Sequence, residues 1–112
     1  MQDNRKNQRF KTTAQVHIPD IQKGENLLKD LSITGCCIEC PFFTEIRLDK
    51  IYKLEIVPEV IAKIESFVLE VLPKWIRSVG DTGEVGFNVI ASPKGKEFQN
   101  YVDYLAYRSA QT

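Results

Sequence analysis

The sequence is short of nearly every feature that marks a specialised chain. It has no charge excess, because 15 Lys and Arg balance 15 Asp and Glu. That balance argues against a general nucleic-acid coat or a polybasic membrane binder, both of which need net positive charge. No apolar run approaches the ~18 residues of a membrane span. Residues 1–9 are polar and lack the apolar stretch of a secretory signal. Cysteine occurs only as Cys36, Cys37 and Cys40, an odd and clustered set that makes a poor disulfide framework. A reduced, cytoplasmic setting without membrane insertion is expected.

Catalytic punctuation is equally scarce. His17 is the single histidine, flanked by Val16 and Ile18, and nothing in the sequence places it beside a cysteine as a base. Cys36-Cys37-x-x-Cys40 offers three thiolates and no neighbouring fourth ligand, so small apolar packing residues explain the cluster better than zinc. Paired carboxylates, Gly-rich phosphate loops and dinucleotide fingerprints are missing. No enzyme, metal or cofactor is expected.

What is present is an ordinary globular composition. At 112 residues, 43% apolar and 27% charged, the chain suits one domain with a real core. Alternating or β-rich positions predict six strands, over 12–18, 24–31, 36–40, 51–57, 65–71 continued past Pro73 into 74–79, and 85–91. Pro73 marks a bulge or an edge position, and Gly80 to Gly83 supply the turn of a hairpin. Ser92 as N-cap and Pro93 at the first turn predict a helix. Its apolar stripe is Phe98, Tyr101, Val102 and Leu105. The expected fold is all-β with one C-terminal helix: a small six-stranded antiparallel barrel over 12–91 and a helix over 92–109. A basic arm over 1–11 precedes them.

The neutral total conceals that arm. Residues 1–11 hold Arg5, Lys6, Arg9 and Lys11 against Asp3, a net of +3, which leaves −3 on the remainder. In an extended arm, Arg5 and Arg9 face one side about 13 Å apart. Guanidinium forks donate in pairs to phosphate or to the O6 and N7 edge of guanine. A second constellation follows at Asp30-Leu-Ser32-Ile-Thr-Gly35. Period two points Asp30 and Ser32 to one face, while Leu31 and Ile33 turn toward the core. A carboxylate accepts the N1–H and N2–H₂ donors of a guanine edge, a hydroxyl can bond beside it, and Gly35 leaves room for a flat ring. The same residues are also turn formers.

In this order the two motifs resemble the PilZ domain family, bacterial receptors for the second messenger cyclic di-GMP. Trp75-Ile76-Arg77 followed by Glu84-Val85-Gly86-Phe87 looks like that family's closing hairpin, and the final helix is where the family places one. The resemblance implies that Arg5 and Arg9 clamp guanine bases and phosphates. It implies that Asp30 and Ser32 bind a guanine edge with Gly35 giving it room. Trp75 stands where some members carry an aromatic residue near the ligand, and is equally readable as an ordinary barrel tryptophan. Asn4 replaces a further arginine of many members, which leaves one or two ligands open. The expected partners are cyclic di-GMP and a downstream effector protein, with the chain a monomer or weak dimer and no nucleic acid bound. A ligand-independent adaptor and a small single-stranded nucleic-acid barrel are the alternatives.

Overall fold

A computed structural model describes residues 8–19, 26–40, 46–91 and 95–110. The strands are β1 (Phe10–Lys11), β2 (Gln15–His17), β3 (Asn26–Leu31), β4 (Gly35–Cys40), β5 (Tyr52–Val57), β6 (Phe67–Val79) and β7 (Thr82–Ala91), followed by helix α1 (Glu97–Ala110). All pair antiparallel in one sheet, ordered β1-β3-β2-β5-β6-β7-β4, which closes on itself through β3 and β4. β1 and β2 both lie against β3, on either side of Thr12 to Ala14. Counted as one interrupted strand they give the expected six-stranded barrel.

Alternation fills the interior. Val16, Leu28, Leu31, Cys36, Ile38, Leu54, Ile56, Leu69, Val71 and Phe87 all point into one core. His17 stays on the exposed face of β2. The helix presents its stripe as its spacing requires: Phe98, Tyr101, Val102 and Leu105 are all buried. Phe98 and Tyr101 pack on Phe67, with ring centroids 5.8 and 6.0 Å apart. Burying each such side chain contributes about 1.5–3 kcal/mol. Helix and barrel are also joined by polar contacts. The Thr12 hydroxyl donates to the Tyr101 hydroxyl, which donates to Glu59, while Arg108 donates to Glu59 and to the Lys11 carbonyl.

Several details differ from simple periodicity. α1 starts at Glu97, because Gly95 takes φ 78°, which no helix continues through. Ser92 and Pro93 lie outside the described residues. β6 runs unbroken past Pro73, where the register against β7 slips between Pro73 and Trp75. β5 pairs only with the stretch from Phe67 to Val71, so the distal half of β6 is held among the described strands by β7 alone. Gly80 at φ 61° forms the two-residue turn into β7 with Asp81, bringing Val79 opposite Thr82. Phe10 and Lys11, assigned to the arm by charge, are already strand and pair with Leu31 and Asp30.

Candidate site on the outer barrel face

A β-bulge builds the site. Register against β4 shifts between Leu28 and Asp30, so Lys29 and Asp30 both point outward while Leu28 and Leu31 on either side are buried. The Arg9 guanidinium donates to the Asp30 carboxylate at 2.6 Å. It also reaches over Gly35, where a Cβ would stand 3.1 Å from Arg9 Nη2 and 2.7 Å from the Phe87 carbonyl oxygen. Arg9, Asp30 and Gly35, from two distant motifs, thus meet at one place. Their side chains remain 37% and 29% exposed for Arg9 and Asp30. Such a pair contributes only ~0.2–1 kcal/mol and is easily exchanged for another partner.

The other predicted residues divide. Arg5 lies outside the described residues, as does Asn4. Ser32 is not an open hydroxyl: it is buried, and its oxygen accepts the Thr34 and Gly35 N–H groups at 3.2 and 3.1 Å. That is a serine turn, stabilising the tight bend between β3 and β4. The bend also carries Ile33 outward, 38% exposed, rather than into the core. Trp75 joins the face through a cross-strand row, since Asp30 pairs with Cys37, Cys37 with Gly86 and Gly86 with Trp75. Adjacent strands are ~4.8 Å apart, so Asp30 and Trp75 stand about 14 Å apart across this row. The indole lies against Gly86, where a Cβ would come within 2.3 Å of it, and the Arg77 guanidinium sits 5.1 Å from its ring centre.

Beside the row is an ion triad that the sequence reading missed. Glu84, 3% exposed, accepts from Lys29 through one oxygen and from Arg77 Nε through the other at 3.1 Å. The hydrogen bond from Lys29 holds its carboxyl below the ordinary 4.5 against the opposing cost of burial, and Arg77 assists. Counting back from the Gly80–Asp81 turn pairs Arg77 with Glu84, so half of the triad could have been found from the hairpin register. Cys37 lies between the charged clusters and feels Asp30, Glu84, Lys29 and Arg9. Burial foremost, then Asp30 and Glu84, push its thiol up to about 11. Cys36, Cys37 and Cys40 are all buried, and no group of three or more His, Cys, Asp or Glu side chains that could hold a metal ion exists among the described residues. An open groove of about 560 Å³, lined in part by Lys11, Lys29, Asp30, Glu39 and Arg108, continues the face toward the helix.

No protein-family model matches the chain, and no curated protein matches it in sequence. Among solved structures, the inhibitor of motility MotI/DgrA of Bacillus subtilis matches with a TM-score of 0.76 at 15% identity. The likeness covers 100% of this chain and 53% of that one, so the chain spans about half the length of that protein. At this identity the likeness shows the fold, a PilZ-like antiparallel barrel with one C-terminal helix. No described helix is long and apolar enough to cross a membrane.

Proposed function

We propose that the protein is a receptor for cyclic di-GMP that uses the outer face around Arg9, Asp30 and Gly35, with Arg5 of the same motif joining it. The observation that carries the reading is the meeting of the two motif halves: the Arg9 fork is placed on the Asp30 carboxylate and over the Gly35 backbone. Arg9 engages a guanine edge or a phosphate, and the carboxylate released from it accepts the donors of a guanine edge. Ser32 contributes by fixing the turn that presents Gly35. Trp75, flat on Gly86 at the far end of the row, bounds the face with an aromatic surface.

The neighbour is described as an inhibitor of motility, and control of motility through an effector protein is the output we infer here. Ligand binding orders the basic arm against the barrel, and the ordered surface engages that effector in the cytoplasm, a population shift driven by differential affinity. No catalysis and no cofactor are required.

Calorimetric titration with cyclic di-GMP, with GMP and cyclic di-AMP as competitors, tests the reading. Each bidentate arginine contact to guanine discriminates by about 1–3 kcal/mol. Arg9→Ala and Asp30→Ala should therefore weaken binding at least roughly fivefold. Absence of binding by the wild-type protein rules the function out and leaves a ligand-independent adaptor, and unchanged affinity in both variants rules out this face as the site.

A further inference from the structure

Glu84 has no role in the reading above, yet it is the most deeply placed charge on the same outer face. Its side chain is only 4% exposed, while the cations it holds, Lys29 and Arg77, are 44% and 66% exposed. The carboxylate comes from β7 and its partners from β3 and β6, so it draws two cations from opposite sides of Cys37 and Gly86 onto one anion. Without it, Arg77 would lose its ion pair and Lys29 would keep only the through-space charge of Glu39, beside Lys11 and an Arg9 already held by Asp30. A face with that larger cationic excess attracts phosphate-bearing solutes of many kinds through charge alone, whatever their shape. With it, the excess is small, and discrimination falls to contacts that demand geometry, such as the Arg9 fork and the Asp30 carboxylate.

We propose that Glu84 is a specificity-determining residue that occupies Lys29 and Arg77, so that this face selects its ligand by shape and hydrogen bonding instead of trapping polyanions in general. The inference rests on the proposed use of this face for an anionic ligand. Glu84 acts through its two partners and touches no ligand itself. It resembles a resident anion, already satisfying the two cations that a loosely matched phosphate would otherwise claim. The depressed carboxyl keeps that charge in place throughout the neutral range.

The test compares three proteins: wild type, Glu84→Gln, which releases both cations, and the double variant Lys29→Gln with Glu84→Gln, which releases only Arg77. Each is titrated with cyclic di-GMP, with inorganic pyrophosphate and with a ten-residue oligothymidylate, over a range of salt concentrations. Glu84→Gln should bind pyrophosphate about three- to tenfold more tightly at low salt, as expected for removing one charge near an exposed site. Its preference for cyclic di-GMP over pyrophosphate should shrink accordingly. For the oligonucleotide, the slope of log K against log salt should steepen by about 0.7 for each cation released. The double variant should therefore show about half the change in slope of Glu84→Gln. A residue that only stabilised the barrel would move neither the slope nor the preference.

Unchanged pyrophosphate affinity and salt slope in both variants overturn the proposal, as does a gain in the double variant equal to or above that of the single. If Glu84→Gln alone fails to fold, the double variant, in which carboxylate and ammonium are lost together, still returns the gain expected for Arg77 or refutes it. A wild-type protein that ignores cyclic di-GMP overturns the proposed function. Unaltered selectivity in one that binds it overturns only the assignment of Glu84.

Discussion

Replacing Gly35 by alanine strikes the fold and the site at once. The added Cβ would stand 2.7 Å from the Phe87 carbonyl oxygen. The closest ordinary carbon–oxygen contacts between strands are about 3.3 Å, so the deficit is roughly 0.6 Å. The oxygen belongs to the backbone of β7 and cannot swing aside. β4 and β7 pair from Gly35 with Asn88 to Cys40 with Gly83, and that ladder must open at its end. Overpacking of this kind costs about 1–3 kcal/mol. The same methyl would press on Arg9 Nη2 at 3.1 Å, a side chain that can retreat, and its retreat loosens the contact with Asp30. Urea unfolding followed by Trp75 fluorescence should show the midpoint falling by roughly 1 M with an unchanged slope, and cyclic di-GMP affinity should fall at least about fivefold. Gly80→Ala supplies the control. Gly80 takes φ 61° with nothing within 4 Å of a Cβ, so its cost is the left-handed backbone alone, about 1–2 kcal/mol, with ligand affinity untouched. A Gly35→Ala midpoint equal to wild type, with affinity within about twofold, would show that the carbonyl yields freely and that the crowding argument is wrong.

Three further outcomes follow from the same contacts. Tyr101→Phe strips the hydroxyl that joins Thr12 to Glu59 and should cost about 1–3 kcal/mol in thermal or urea unfolding, since a buried threonine loses its acceptor. Glu84 has a folded carboxyl held below 4.5, so its contribution to stability is fully present above that pH and is lost as pH falls through the lower folded value. Acid unfolding of Glu84→Gln should accordingly be less steep below pH 4.5 than that of the wild type, and parallel curves would deny the triad its part in acid stability. Cys36 and Cys37, raised to about 12 and about 11 chiefly by burial, should resist a thiol reagent at pH 8 until the barrel unfolds. Prompt labelling of either in the native protein would contradict the packing described.

Local pattern carried much of the architecture and less of the site. The stripe Phe98, Tyr101, Val102 and Leu105 and the Gly80 turn are short-range features, and the folded chain uses both as the spacing demands. Asp30 with Arg9 was legible because a motif, not a contact, linked residues 21 apart. For Ser32, a hydroxyl beside a glycine suits a turn as well as a ligand, and only the backbone path shows that this one accepts the Thr34 and Gly35 N–H groups. The bulge at Lys29 is faintly visible as two charged residues following two leucines, which breaks strict alternation. Lys29 with Glu84 was hidden because it joins residues 55 apart, and pairing of that range follows from barrel closure rather than from any local preference.

The unequal lengths of β5 and β6 have a consequence for motion. β7 is bonded on both sides, by β4 and β6, whereas β6 beyond Pro73 is bonded to β7 alone. Amides of that outer stretch facing away from β7 have no partner among the described strands to protect them, so hydrogen exchange should begin there while the barrel wall is still closed. Trp75 and Arg77 ride on this stretch. The aromatic end of this outer face therefore belongs to a part of the sheet held on one edge, and the Asp30 end to a part with a neighbour on each edge. One wall of the face is rigid and the other is compliant.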